Sequence, residues 1–268
     1  MGTLYLVSTP IGNLSDITLR AIDTLKSVDF IACEDTRHSL KLLNHYEIKK
    51  PLISYHKFNE NEKSEVIISH LDEGKSVALI SDAGSPVISD PGSIIIATAR
   101  AKGHNVSVVP GASAVTAAAT LAGISGGFIF IGFLPVKAKS RAKLLDSYMK
   151  SPLPLVLYSA PHDIKRDLED IYAALGGRRY TVVKELTKIH ERVSEGILPD
   201  IIVENPKGEY VLIIMPSEEE EKIDLTEREQ VIALIKEGMS KKEAVKETAR
   251  SRGVNKNRVY MAVTDIKD

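Results

Sequence analysis

Short apolar runs separated by stretches of helical periodicity set the rhythm of this chain. Leu4–Val7 is apolar and ends at Thr9-Pro10-Ile11-Gly12-Asn13. Asp16–Lys26 then carries Ile17, Ala21, Ile22 and Leu25 at helical spacing. Val28–Ala32 is the next run. Val77–Ile80 and Val106–Val109 follow, each leading into a Gly/Pro turn and then a helix. The second half repeats the theme with Leu155–Tyr158, Tyr180–Val183 and Tyr210–Ile214. Strands this short and apolar, alternating with amphipathic helices, predict an α/β protein with mostly parallel or mixed sheets covered on both faces. The pattern divides into an N-terminal α/β domain, residues 1–118, and a second α/β domain, residues 119–216, with the change falling between 118 and 135.

One stretch stands apart. Asn105–Val136 contains no charged residue and is long enough for a membrane span. Pro110, Gly111, Gly123, Gly126, Gly127 and Gly132 interrupt it, however. It reads as a strand, a turn, a helix over Ser113–Ala122 and a strand over Phe128–Phe133. No membrane partner is expected.

A third piece differs in composition. Ser217-Glu218-Glu219-Glu220-Glu221 is an acidic connector, and residues 222–268 read as a small basic helical domain. Thr226–Glu237 has helical periodicity. Ser240 with Glu243 three residues on has capping-box spacing and starts a second helix through Arg250. Gly253 breaks that helix, and Asn255–Val263 is a third. Lys236–Met261 holds eight Lys/Arg against three Glu, an excess that suits a nucleic-acid partner. A plain solvated helical cap is the competing reading.

Composition narrows the class. With 43% hydrophobic and 26% charged residues, collagen-like, low-complexity and disordered classes are excluded. Thirty-five basic against 36 acidic residues leave a net charge of −1, so any nucleic-acid binding would have to rest on a local patch. A single cysteine, Cys33, excludes an intramolecular disulfide framework and a Cys-rich zinc site. The seven histidines form no His-Glu-x-x-His, so no metal is expected. No cationic segment followed by an apolar one opens the chain, so the expected location is cytoplasmic.

The candidate chemistry sits in turns after strands, where open parallel sheets bind ligands. Ser8–Leu14 is neither G-x-G-x-x-G nor a P-loop, so neither NAD nor ATP is indicated. Ser81–Gly92 packs two glycines, two prolines and two aspartates into twelve residues, more than a turn needs. Its backbone groups suit an adenine and an amino-acid moiety. Pro110-Gly111-Ala112-Ser113-Ala114 is the third, with Ser113 a possible N-cap. Three such turns on one sheet edge converge on one pocket. Cys33-Glu34-Asp35-Thr36-Arg37-His38 and His56-Lys57-Phe58-Asn59-Glu60 supply groups that can deprotonate a hydroxyl and hold a phosphate, although Asp35 and Arg37 can equally pair with each other. Lys184–His190 is a further polar segment, while Lys207-Gly208-Glu209-Tyr210 reads as an ordinary turn.

These residues carry a resemblance. Thr9-Pro10-Ile11-Gly12-Asn13-Leu14 with Asp16-Ile17-Thr18, Glu34-Asp35-Thr36-Arg37, Asn59-Glu60 and Ser81–Gly92 resemble the ribosomal RNA small-subunit methyltransferase I family, in the tetrapyrrole-methylase superfamily. Pro110–Ala114, Gly132-Phe133-Leu134-Pro135, Pro161-His162, Lys184-Glu185-Leu186-Thr187 and Lys207-Gly208-Glu209 extend the match in the same order, over about residues 3–216. The basic tail is similar to that family's small C-terminal domain. The resemblance implies two α/β domains with S-adenosylmethionine in the cleft between them, and a homodimer. It implies methyl transfer to the ribose 2′-oxygen of a cytidine in 16S rRNA within the 30S subunit. Cofactor contacts are expected at Pro10, Ile11, Asp82, Ala83, Gly84, Ser85, Ile88, Ser113, Ala114, Tyr158 and Leu186.

A ribose hydroxyl is a poor nucleophile and calls for a positioned base. Asp35 is the first candidate, with His56 and Glu60 next. Arg37 and the run Lys137, Lys139, Arg141 and Lys143 are expected to meet RNA phosphates. Tyr158-Ser159-Ala160-Pro161-His162-Asp163 stands where the family usually has Tyr-Glu-Ser/Ala-Pro-His-Arg, so no catalytic role is placed there. Ser85 and Ala112 replace the commoner Thr and Pro. A small-molecule methylase of the tetrapyrrole type and a non-catalytic RNA-binding protein are the alternatives on the same fold.

Overall fold

A computed structural model of the chain describes residues 1–201, 203, 206–217, 226–236 and 238–264. The chain divides into two compact units, Met1–Pro216 and Ser217–Asp268. Glu218–Glu221 of the expected acidic connector, and Glu237 at the end of the helix expected after it, lie outside the described residues.

The first unit holds two five-stranded sheets. In the first, β1 (Thr3–Val7), β2 (Phe30–Cys33), β3 (Leu52–Ser54), β4 (Val77–Ile80) and β5 (Asn105–Val109) run parallel in the order β3-β2-β4-β1-β5. Every residue of β4 is buried, which is why its sequence is unbroken Val-Ala-Leu-Ile rather than alternating. Ala78 and Ile80 face one core with Ala21, Leu25 and Leu43 from α1 (Leu19–Ser27) and α2 (Thr36–His45). Val77 and Leu79 face the other with Ile67, Leu71, Ile95 and Ala99 from α3 (Glu60–Asp72) and α4 (Ser93–Ala101).

The second sheet is mixed. Its order is β6 (Ile129–Phe133), β7 (Leu155–Ser159), β10 (Tyr210–Ile214), β8 (Arg179–Lys184) and β9 (Arg192–Ile197). Only β6 and β7 pair in parallel. The few residues between β8 and β9 leave no room for a crossover helix, so those strands run antiparallel. One face packs on α6 (Ala138–Asp146) and α7 (Ile164–Leu175) through Leu145, Leu157, Leu168, Ile171 and Leu212.

The opposite face is covered by α5 (Ala114–Leu121). Its Val115 and Ala118 pack with Val156, Val183, Val211 and Ile213. The 118/119 division therefore falls inside a helix of the second layer, and the chain changes sheets between β5 and α5. Ile11, from the turn after β1, joins the same cluster and brings that turn onto the second sheet.

The second unit contains α8 (Glu227–Lys236), α9 (Lys241–Arg252) and α10 (Lys256–Met261) around Val231, Val245, Ala249 and Val259. The Ser240–Glu243 capping box is formed, a motif worth about 1 kcal/mol. Gly253 ends α9 with φ +65°, a left-handed turn that glycine adopts without strain. Among the described residues no helix is long and apolar enough to cross a membrane.

Candidate functional site

Strands β4, β1 and β5 are neighbours, so the turns that follow them meet at one edge. The first two are laced together. Thr9 N donates to Gly84 O (2.9 Å), Gly84 N donates to Thr9 O (3.1 Å), and Thr9 Oγ1 donates to Ser81 O (3.1 Å). Ser8 Oγ and Ser85 Oγ lie 2.9 Å apart. Gly84 has φ +78°, and a Cβ there would sit 3.3 Å from Ile11 Cγ2. A Cβ on Gly111 would come within 3.0 Å of Ser8 Cβ. Both glycines allow backbones to approach where a side chain would crowd the cradle.

Between this edge and the second sheet lies a cavity of about 440 Å³. Ten of the eleven expected cofactor residues line it: Ile11, Asp82, Ala83, Gly84, Ser85, Ile88, Ser113, Ala114, Tyr158 and Leu186. Pro10 does not; it lines a neighbouring cavity of about 300 Å³. The second sheet adds Phe133, Ser159–Pro161, Val183 and Val211. Glu209 and Tyr210 also line the cavity, so the segment read as an ordinary turn contributes wall.

The loops on either side are strained. Val87 (φ +77°) and Ser89 (φ +66°) occur in one, Glu185 (φ +51°) and Thr187 (φ +66°) in the other. Left-handed backbone at β-branched Val and Thr costs about 1–3 kcal/mol each and clusters where function requires a fixed shape.

Four carboxylates line the largely apolar cavity: Glu209, which is paired with Lys188, and Glu34, Asp82 and Asp90. Burial, then the charges of Glu34 and Asp82, push the Asp90 carboxyl up to about 6. Burial and Asp82 also raise Glu34, with His56 opposing them. Burial and Asp90 raise the Tyr158 phenol. The cavity thus holds a concentration of negative potential suited to a cation. Glu34 and Asp90 stand in segments singled out from the sequence but received no role there. The available signal was their position in turns after adjacent strands.

The residues expected to act as base are engaged elsewhere. Asp35 caps α2, accepting from Arg37 N (2.8 Å) and His38 N (3.4 Å), and pairs with the Arg37 guanidinium at 3.5 Å. The Arg37 N–H, chiefly, holds its carboxyl below the usual range, which weakens it as a base. Its pairing with Arg37 is the alternative that the sequence left open.

Glu60 Oε1 accepts from Gly92 N (2.8 Å) and the Tyr55 hydroxyl (3.3 Å), bracing the Ser81–Gly92 turn. His56 N donates to Asn59 Oδ1 (2.8 Å), and its Nε2 lies 3.2 Å from Asn59 Nδ2. None of Asp35, His56 and Glu60 lines either cavity.

Among the cations, Lys137, Lys139 and Lys143 are exposed, and the Arg37 side chain is 90% exposed beside Asp35. Arg141 corrects the expectation. It is buried, its guanidinium bonding to Asp170 and to the Pro135 and Val136 carbonyls, so it holds α6 in place instead of facing a phosphate.

The family model for tetrapyrrole (corrin/porphyrin) methylases matches residues 3–202. The chain is 43% identical over 274 residues to "Ribosomal RNA small subunit methyltransferase I" of Bacillus subtilis (strain 168), covering 98% of this chain and 94% of that one. It is 39% identical to the protein so named from Synechocystis sp., covering 100% and 99%. Among solved structures, the methyltransferase CobJ superposes with a TM-score of 0.64 at 18% identity, covering 81% of this chain and 95% of that one. Uroporphyrin-III C-methyltransferase from Thermus thermophilus, complexed with S-adenyl homocysteine, gives 0.57 at 20% identity, covering 80% and 97%. At such identities the superpositions establish the fold, whereas the full-length sequence matches establish kinship. The chain belongs to the tetrapyrrole methylase family and, within it, to the ribosomal RNA small subunit methyltransferase I proteins.

Proposed function

We propose that this protein is an S-adenosylmethionine-dependent methyltransferase acting on the ribose 2′-oxygen of a cytidine in 16S rRNA, with the 30S subunit as substrate. The observation that carries the reading is the cavity of about 440 Å³ between the two sheets, in which Glu34, Asp82 and Asp90, besides the Lys188-paired Glu209, interrupt an apolar wall. S-adenosylmethionine fits that donor set. Its adenine and the methylenes beside its sulfonium suit Ile11, Val183, Leu186 and Val211, and its positive charges suit Glu34, Asp82 and Asp90. The glycines whose Cβ would crowd Ile11 and Ser8 leave room for backbone to approach it. Bound there, it supplies an electrophilic methyl on a cationic sulfur, and the protein's contribution is orientation and charge.

The chain's own residues divide the work. The Thr9–Gly84 bridge fixes the two glycine turns, and Glu60 holds the Gly92 end of the second. The walls from β7, β8 and β10 keep water from the methyl. A carboxylate of the set Glu34, Asp82 and Asp90 receives the proton of the acceptor hydroxyl, since Asp35 is committed to α2. Arg37, Lys137, Lys139 and Lys143 face RNA phosphates, and the basic second unit adds to that affinity. The working form is a two-fold homodimer, a reading supported by the exposed apolar Val108 on edge strand β5 and Leu121 on α5.

Transfer of tritium from labelled S-adenosylmethionine to purified 30S subunits, free 16S rRNA and a precorrin tests the reading. Label in the 30S arm is expected. Label in the precorrin arm, or none despite cofactor binding in calorimetry, overturns it.

A further inference from the structure

The cavity that Pro10 lines is separate from the one assigned to the methyl donor. It measures about 300 Å³, the small end of the range for ligand sites and the scale of one nucleotide, not a macrocycle. Its floor is buried and partly hydroxylic, built from Thr9, Pro10, Ser39 and Ser81; its rim includes exposed His38 and Lys41. Asp82 lines this cavity and the larger one alike. The hydrogen-bonded Thr9–Gly84 bridge borders both, Thr9 lining the smaller cavity and Gly84 the larger.

Two details point to a ligand. Ser39 is 2% exposed, yet its Oγ has no hydrogen-bond partner beyond the weakly interacting Cys33 thiol beside it. A buried hydroxyl left in that state is costly unless something else bonds to it. The hydroxyls of Thr9 and Ser81, by contrast, are satisfied by the Ser81 and Gly84 carbonyls. In addition, Arg37, His38 and Lys41 follow one another along α2, with His38 and Lys41 one helical turn apart at the cavity rim. Only Arg37 of these has a carboxylate partner among the described residues.

We infer that this second cavity is the acceptor site, taking a single nucleotide swung out of the RNA. The base enters toward Ser39, the flanking phosphates meet His38, Lys41 and Arg37, and the ribose hydroxyl lies at Asp82, the residue the two cavities share, where donor and acceptor would meet. The assignment rests on the reading that the larger cavity holds the methyl donor. Unstacked bases in single-stranded RNA are the usual targets of such pockets, because a base within a helix cannot be reached. Asp82, bordering both cavities, is then the carboxylate placed to take the hydroxyl proton.

Steady-state methylation of 30S subunits by the full chain tests this. The variant carrying His38→Ala and Lys41→Ala should raise KM for 30S subunits at least about tenfold, with Kd for S-adenosylmethionine unchanged. The slope of log kcat/KM against log salt should become shallower by about 0.7 for each phosphate that is no longer neutralised. Asn13→Trp, placing a large ring at the exposed rim, should lower kcat/KM by at least about tenfold with cofactor affinity retained, because the ring fills the cavity mouth. Lys26→Ala, which removes a charge at the end of α1 beside the start of β2, should change neither quantity. Unaltered KM and salt slope in the double variant, with the unsubstituted protein active on 30S subunits, overturn the acceptor site alone. No transfer by the unsubstituted protein overturns the functional reading and this assignment with it.

Discussion

Donor binding should be linked to protonation of Asp90. In the free protein its carboxyl titrates at about 6, raised first by burial and then by Glu34 and Asp82, with Tyr158, Glu209 and Tyr210 completing the titratable lining. A cationic donor stabilises the ionised carboxylate, so binding must expel the proton wherever Asp90 still carries one. If the bound state is fully ionised, the apparent Kd scales as one plus ten to the power of (pKa − pH). That makes affinity at pH 5 about tenfold weaker than at pH 7. Asp90 is only half-buried, so water at the cavity mouth makes tenfold an upper bound. Calorimetric titration with S-adenosylmethionine across pH 5–7.5 reads the dependence. Asp90→Asn should flatten it to within about a factor of two, the remainder belonging to Glu34. The same shift predicts the sign for stability. The folded state holds the Asp90 proton more tightly than the unfolded chain, so the ligand-free protein loses stability as pH rises from the ordinary carboxylate range through about 6. Asp90→Asn should therefore melt higher at pH 7. A wild-type pH profile that survives Asp90→Asn, or binding that strengthens toward acid, refutes the reasoning.

Glu60→Ala should cost about 1–3 kcal/mol in urea unfolding, because Gly92 N and the Tyr55 hydroxyl lose their acceptor. A large fall in kcat at unchanged stability would return Glu60 to the list of bases. A chain ending at Pro216 retains every residue lining the larger cavity and should bind S-adenosylmethionine normally. It should bind 30S subunits more weakly and with a shallower salt slope, and an unchanged slope would make the second unit a plain helical cap. Size-exclusion chromatography with light scattering should give twice the 29.3 kDa chain mass, and a monomer at micromolar concentration contradicts the dimer.

The fold was readable wherever burial on both faces leaves an unbroken apolar run, as in Val77–Ile80 and Tyr210–Ile214, both of which form strands over those residues. It was unreadable where tertiary context decides. Arg192–Ile197 is a half-solvated edge strand whose Arg and Glu hide any apolar pattern, and Leu52–Ser54 is too short to show one. Helix α5 is apolar enough to serve either sheet, and only the bare face of β7 and β10 assigns it to the second. The site behaves likewise. The glycine turns announce a ligand edge from the sequence, because few other uses need so many. The roles of carboxylates depend on partners distant in the chain. Gly92 N lies 32 residues from Glu60, and Asp90 acquires its shifted proton affinity from burial and then from Glu34 on another turn and Asp82 on its own. Arg141 sits in a run of lysines, and only the approach of Asp170 turns it inward.

The central claim, methyl transfer to a ribose in the small-subunit RNA, is tested most directly by the chemistry of the labelled product. Alkaline cleavage of RNA needs a free 2′-hydroxyl, so a methylated ribose leaves its dinucleotide intact while unmethylated positions yield mononucleotides. After transfer from tritiated S-adenosylmethionine to 30S subunits, the account predicts that the label runs as an alkali-stable dinucleotide whose 5′ nucleoside is cytidine. Label released entirely with mononucleotides would place the methyl on a base and contradict it.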